Sequence, residues 1–196
     1  MRRVVVRRAG DYYEVYENDD LVMKLRSDLD LTGILADAGF DVAIIDGKII
    51  ELVSLRRIIE DMKSPECGAV GVFVGYVKGI SRGRKVLRLE YERYDELYER
   101  KRRELERILG ERYGVNVRIY HKVGVFRPGD DVLYVVVVGR SRKDVFEPLR
   151  ECVELVKREL PVWKKEVYEN GEEVWVHDIP DDERGSLIMD DEDSPS

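Results

Sequence analysis

The sequence predicts an α+β fold: an antiparallel sheet packed with two main helices, plus a small α+β N-terminal domain. Three observations predict it. Short β-branched runs end at turn sequences such as Pro128-Gly129-Asp130 and Asn170-Gly171, which favour hairpins and so antiparallel pairing. Two longer stretches, around Tyr94 to Leu109 and Val145 to Leu160, carry apolar residues at three- and four-residue spacings, the period of a helix with one buried face. Lys63-Ser64-Pro65-Glu66 interrupts the patterning between a short first region and a longer second one, as a connector does. The predicted division is a domain over residues 1–63, a connector over 64–67, a second domain over 68–179 and an acidic tail over 180–196.

In the first region, Arg3 to Arg8 and Tyr12 to Leu25 read as strands, Leu31 to Ala38 as a short helix and Asp41 to Ile45 as a strand. Asp46-Gly47 is a turn pair. Ile49 to Met62 starts β-branched and continues with helical spacing at Leu55, Ile58, Ile59 and Met62, so its type stays open. The second region opens with a β-branched, glycine-bearing strand from Gly68 to Lys78, then a loop from Gly79 to Gly83 and a strand from Val86 to Arg93. A long amphipathic helix follows, ending near Gly114. Val115 to Val123 and Val132 to Val138 read as strands joined through the Pro128 turn. After the helix that ends at Leu160, Lys164 to Tyr168 and Val174 to Val176 form a final hairpin.

Composition narrows the function. The 196 residues are 43% hydrophobic, ordinary for a folded domain. The formal charge of -7 is concentrated at the end: Pro180 to Ser196 holds seven acids against Arg184 alone. The rest is near neutral with local basic clusters, a balance that favours small anions over long nucleic acid. Cys67 and Cys152 lack metal-site spacing, and His121 and His177 lie far apart, so no metal centre or histidine-based triad is expected. Both histidines are expected to be structural or at the surface. No apolar run is long enough to span a bilayer, and a cytoplasmic location is expected. Charged residues at 38%, no glutamine and three asparagines point to a thermophilic source.

The chemistry-bearing stretch is Lys157-Arg-Glu-Leu-Pro-Val-Trp-Lys164. Lys157 stands one turn after Val153, at the edge of the apolar face, where partial burial is expected. Pro161 ends the helix and turns the chain, which brings Lys164 back toward Lys157. Two ammonium groups in one pocket would attract anions, and desolvation would free an amine for proton transfer. Helix-end lysines also serve simply to solvate a surface and complement the helix dipole, and the segment alone is compatible with that.

Further cations stand at the ends of elements. Lys78 follows an apolar strand directly and is held by rigid structure, whereas Arg82 and Arg84 belong to a solvated loop. Ser141 and Asp144 form a helix-capping pair, and Arg142 beside them offers a bidentate fork to phosphate. Phe73 and Trp163 are placed either to line the pocket of a ring-shaped substrate or, as aromatics commonly are, to pack in a core.

Taken together, Gly68-Ala-Val-x-x-Phe73-x-Gly75-x-Val-Lys78, Leu89-Glu-Tyr-Glu-x-Tyr94, His121-Lys-Val-Gly124, Gly129-Asp130, Arg142-x-x-x-Phe146-Glu147 and Lys157-x-x-x-Pro161-x-Trp163-Lys164-x-Glu166 resemble the catalytic, large-subunit family of molybdopterin synthase, the MoaE family. The likeness runs from Gly68 to about Val176 and leaves the first 63 residues and the tail outside. It implies a sulfurtransferase that inserts two sulfurs into cyclic pyranopterin monophosphate to make the dithiolene of molybdopterin, with the pterin as substrate and no cofactor. It also implies a ubiquitin-like small subunit whose C-terminal Gly-Gly thiocarboxylate carries the sulfur, and a homodimer of large subunits within a heterotetramer. Lys157 falls on the family's principal catalytic lysine and Lys164 on its second, while Lys78 and Arg142 would help hold phosphate. Ser141 stands where the family commonly has histidine, and Lys78 where many members have arginine.

The order strand-strand-helix-strand in the first region faintly resembles the start of a ubiquitin-like fold; a stabilising or dimerising segment is the other reading. No Gly-Gly occurs near residue 63 or at Ser196, so the carrier is expected on another chain. A reading from a different class is a non-enzymatic RNA- or anion-binding module that uses the basic loop at 78–88.

Overall fold

Two units, Met1–Lys63 and Ser64–Ser196, make up the chain in the computed structural model, which describes residues 1–27, 29 and 31–176. The end of the predicted second domain, His177 and the acidic tail lie outside the described residues.

The first unit runs β1 (Arg3–Ala9), β2 (Tyr12–Glu17), β3 (Asp20–Arg26), α1 (Leu31–Asp37), β4 (Val42–Ile45), β5 (Lys48–Glu51) and α2 (Leu55–Met62). Its strands form one sheet in the order β3-β2-β1-β4-β5. The central β1–β4 pair is parallel, so the sheet is mixed and not purely antiparallel. The single strand expected over Tyr12 to Leu25 is a hairpin. Asn18 and Asp19 take φ of 52° and 68°, the left-handed pair of a tight hairpin turn that these short polar side chains tolerate. The first region therefore carries one more strand before its first helix than the strand-strand-helix-strand order, and a further strand, β5, after β4. The open stretch Ile49 to Met62 divides at Ser54, whose hydroxyl accepts the Arg57 N–H and starts α2. Val4, Val6, Val15, Leu35 and Ala43 build this unit's core. Alternation along β1 explains it, since Val4 and Val6 face inward while Arg3, Val5 and Arg7 face out.

The second unit contains β6 (Ala69–Tyr76), β7 (Ile80–Ser81), β8 (Arg84–Arg93), α3 (Asp95–Tyr113), β9 (Asn116–His121), β10 (Gly124–Phe126), β11 (Asp131–Gly139), α4 (Arg142–Glu159), β12 (Val162–Tyr168) and β13 (Glu173–Val176). The α+β class and the two main helices hold, but the antiparallel strands form two sheets. One has the order β6-β11-β9, the other β10-β8-β12-β13 with β7 against β8. The predicted strand Val115 to Val123 is β9, which stops at His121; beyond it Gly124, at φ 121°, turns the chain into an additional strand, β10, which pairs with β8 in the other sheet. Likewise, the predicted loop Gly79 to Gly83 is a short hairpin from β7 into β8.

Both helices pack on one face of the three-stranded sheet. Leu105 and Leu109 of α3, with Val145, Cys152, Val153 and Val156 of α4, meet Val117, Ile119, Val135 and Val137. Close approach of α4 depends on Gly71, where an added Cβ would stand 3.3 Å from Leu149 and 3.4 Å from Val145. The Glu106 carboxylate of α3 accepts the Ile119 N–H at 2.8 Å and ion-pairs with Arg102, which fixes α3 to β9. As expected from the sequence, Ser141 and Asp144 form a complete capping box at the start of α4.

Candidate functional site

The site is built where α4 hands over to the second sheet. The helix closes with the Leu160 N–H donating to the Val156 carbonyl, and Leu160 is extended at φ -81° and ψ 131°. Pro161 has no N–H to continue the helix, so β12 starts at once. Lys157 is on the last turn of α4 and Lys164 is the third residue of β12.

Lys157 is exposed, contrary to the partial burial expected of it. The buried face of α4 is centred on Cys152 and Val156, and the next residue after Val156 is rotated by about 100°, beyond that face. Lys164 is half-buried. In register it lies between Tyr91 of β8 and Val176 of β13, and residues so paired share one face of the sheet. Tyr91 meets two other rings on that face: His121 at 4.8 Å between centroids and Phe126 at 6.1 Å, both edge to face.

His121, which the sequence leaves as structural or surface, is buried and joins the two sheets. Its Nδ1 lies 2.8 Å from the Lys122 carbonyl oxygen, so Nδ1 carries the proton in that bond and Nε2 is the other tautomeric position. The His121 backbone N–H donates to the Tyr98 hydroxyl at 3.0 Å, and Arg93 donates to the His121 carbonyl at 2.8 Å. Burial raises the Tyr98 phenol above its ordinary value. Arg93 sits 4.3 Å over the Tyr98 ring and pairs with Val162 at the start of β12. Lys122 is also buried, with its Nζ 5.4 Å over Tyr134. The sequence did not single out Tyr91, Arg93 or Lys122, and the expectation of a structural His121 agrees with these contacts. A signal existed: Val117, Ile119 and His121 share one face by alternation, so His121 extends an apolar stripe.

The remaining predicted residues are dispersed. Phe73 is half-buried in mid-β6 against the main core. Lys78 is exposed just past the end of β6. Trp163 is exposed and alternates to the opposite face of β12 from Lys164, joining Lys165 and Trp175. Arg142 is exposed at the first turn of α4. It stands fifteen residues before Lys157 on one helix, about 22 Å at 1.5 Å per residue. Arg142 and Lys157 thus stand near opposite ends of α4.

The basic hairpin is not a solvated loop of unpartnered cations. Arg84 reaches Glu172 at 2.8 Å and lies 3.7 Å over the Tyr168 ring. Lys85 pairs with Glu169, and Arg88 with Glu90 and Glu173. Charges already matched by carboxylates of β8, of β13 and of the turn between β12 and β13 give no support to an RNA-binding reading of this segment. No described helix is long and apolar enough to cross a membrane.

Comparison with known proteins points to one family. The family model described as MoaE protein matches residues 50–159, beginning upstream of the Gly68 start read from motifs and taking in α2. The chain is 32% identical over 127 residues to the molybdopterin synthase catalytic subunit of Halalkalibacterium halodurans, covering 64% of this chain and 81% of that protein. It is 35% identical over 127 residues to the subunit of the same name from Pyrococcus abyssi, covering 63% and 83%. Among solved structures, molybdopterin synthase from Staphylococcus aureus superposes with a TM-score of 0.61 at 29% identity, over 63% of this chain and 90% of that one.

Proposed function

Because the chain belongs to the MoaE protein family, we propose that the α4–β12 junction is the working centre of a sulfurtransferase, with Lys157 and Lys164 as its two catalytic cations. The activity that goes with the family is that of a molybdopterin synthase catalytic subunit in molybdenum cofactor biosynthesis. The observation that carries the assignment of residues is the placement of Lys157 on the last helical turn and Lys164 three residues into the next strand, either side of Pro161.

In this reading, a ubiquitin-like small subunit brings its C-terminal Gly-Gly thiocarboxylate to Lys157. The exposed ammonium holds the anionic sulfur group and moves protons as sulfur attacks cyclic pyranopterin monophosphate. Lys164, backed by Tyr91 and His121, meets negative charge on the substrate, and Lys78 adds a further cation. The pterin is substrate, and no cofactor takes part. Arg142 reaches the site from a second copy of the chain, since its own Lys157 is a helix length away; this makes the catalytic unit a homodimer, and with two carriers a heterotetramer. Phe73 and Trp163 would contribute only at the edges of the substrate cavity. The protein works in the cytoplasm.

The test mixes purified protein with thiocarboxylated carrier and cyclic pyranopterin monophosphate and measures dithiolene product. Wild type forms it, and Lys157→Ala is slower by about a hundredfold or more. Equal rates for Lys157→Ala and wild type would remove Lys157 from the mechanism; no product from wild type would remove the reaction itself.

A further inference from the structure

The two site lysines belong to different layers of the second unit. Lys157 rides on α4, whose Val153 and Val156 are buried with Val135 and Val137 of the three-stranded sheet. Lys164 is on β12, in the sheet ordered β10-β8-β12-β13. Their spacing therefore depends on what fixes one layer against the other. Away from the site, Val86 and Leu89 of β8 and Tyr168 of β12 share a core with Val132 of β11. At the site end, where β12 leaves Pro161, the joint is made by Tyr91 and Arg93 of β8.

Leu89, Tyr91 and Arg93 follow one another on one face of β8, opposite Glu166, Lys164 and Val162 of β12. An arginine thus closes a row that is otherwise apolar and aromatic along β8. Its side chain, 19% exposed, reaches across to the other layer. Nη1 donates to the His121 carbonyl at 2.8 Å, Nε donates to Asp95 at 2.7 Å, and Cζ stands 4.3 Å over the Tyr98 ring. β9 is an edge strand, and side chains take the groups it turns outward. The Tyr98 hydroxyl accepts the His121 N–H at 3.0 Å, and Glu106 accepts that of Ile119 at 2.8 Å. Arg93 completes this row by holding the His121 carbonyl. The Asp95 arm is the weak one, since that carboxylate is 77% exposed and screened by solvent. The carbonyl and the Tyr98 ring, which is buried in the main core, are the anchors.

We infer, on the premise that Lys157 and Lys164 are the catalytic cations, that Arg93 is a positioning residue for the pair: it locks β8, and with it β12 and Lys164, to the layer that carries Lys157. Arg93 acts through this brace and touches no reacting atom. Its planar guanidinium donates in two directions while lying flat on a ring, which a lysine ammonium cannot do. Loss of the brace leaves both cores in place but frees the ends of β8 and β12 nearest the lysines. A reaction held between two cations is sensitive to displacements of about 1 Å.

The test has two arms. In the first, full-length protein with Cys67→Ser, Lys157→Cys and Lys164→Cys carries a nitroxide on each new thiol, Cys152 staying buried. It is diluted with unlabelled chain so that only pairs within one chain are read. Electron paramagnetic resonance should give one narrow distance distribution, and one about twice as wide once Arg93→Lys or Arg93→Gln is added. In the second arm, enzyme with both lysines intact receives thiocarboxylated carrier and cyclic pyranopterin monophosphate. Either Arg93 change should lower kcat about tenfold, with KM for the pterin within about twofold of wild type. Asp95→Asn, which removes only the screened arm, should keep wild-type kcat and spacing. Two Arg93 variants are read so that misfolding of one, seen as a lost thermal transition, leaves the other. Unchanged distances in the folded Arg93 variants overturn the brace, whatever their turnover. Widened distances with wild-type kcat overturn its part in the reaction. No product from wild type removes the reaction itself, while the distances, which need no turnover, still decide on the brace.

Discussion

Tyr91 of β8 and His121 of β9 meet edge to face, their ring centroids 4.8 Å apart and their planes at 62°. They come from different sheets, and Tyr91 is also the cross-strand neighbour of Lys164. The contact therefore ties the strand beside Lys164, one of the two lysines proposed to act, to the sheet that carries the main core.

Tyr91→Ala should lower turnover through this tie while leaving the chain folded. The expected result is a drop of about tenfold in kcat with Tyr91→Phe close to wild type, since the ring supplies the contact. Steady-state kinetics alongside thermal melts would check it. A variant that melts like wild type and turns over like wild type would show that the ring contact does not position Lys164.

Removing Glu106 should destabilise the second unit. Its carboxylate accepts the Ile119 N–H at 2.8 Å and pairs with Arg102 at 2.7 Å, with both side chains largely buried. Glu106→Ala leaves a buried guanidinium and a backbone donor without this partner, a loss of about 3 kcal/mol. Urea denaturation measures it, and a midpoint equal to wild type would contradict the role assigned to this carboxylate.

The acid limb of the stability curve should depend on Glu90. Its carboxyl is held below the ordinary value, first by the hydrogen bond from Lys165 and then by that from Arg88. A depressed carboxyl contributes stability that is present above its unfolded value and lost as pH falls through its folded value. The Lys165 ammonium is raised by the same partner, in agreement. Glu90→Gln should melt below wild type at pH 7, with the gap closing as pH falls below about 4. A gap of the same size at pH 3 would exclude this pair as its source.

The two cysteines should separate by reactivity. Burial pushes the Cys152 thiol up to about 12, with Glu106 and Glu151 adding to the shift, so the thiolate is scarce at neutral pH. Cys67 is only half-buried. Iodoacetamide at pH 8 should modify Cys67 in the native protein and Cys152 only after unfolding. Native labelling of Cys152 at the rate of Cys67 would be the contrary result.

Much of the fold could be read from local patterning. The Ser141 cap, the Pro161 stop and the β-branched run through Val132 to Val138 are properties of a few neighbouring residues, and each stands where expected. The Asn18-Asp19 turn escaped because the apolar pattern runs on either side of it, and only the positive φ at two non-glycine residues reveals the reversal. The division into two sheets at Gly124 escaped for another reason: which sheet a three-residue strand joins depends on partners some thirty-five residues away. At the site, the Lys157–Pro161–Lys164 spacing was legible, while the exposure of Lys157 and the separation of Arg142 were not. Both follow from rotation and rise along α4, and a list of motifs carries neither.

The length of α4 has a genetic consequence. If each site draws Lys157 from one protomer and Arg142 from the other, a helix that holds them at opposite ends makes the two lesions complementary. Dimers that combine a Lys157→Ala protomer with an Arg142→Ala protomer contain one site with both defects and one with neither. Such mixed dimers should recover about half the wild-type rate although each parent homodimer is impaired.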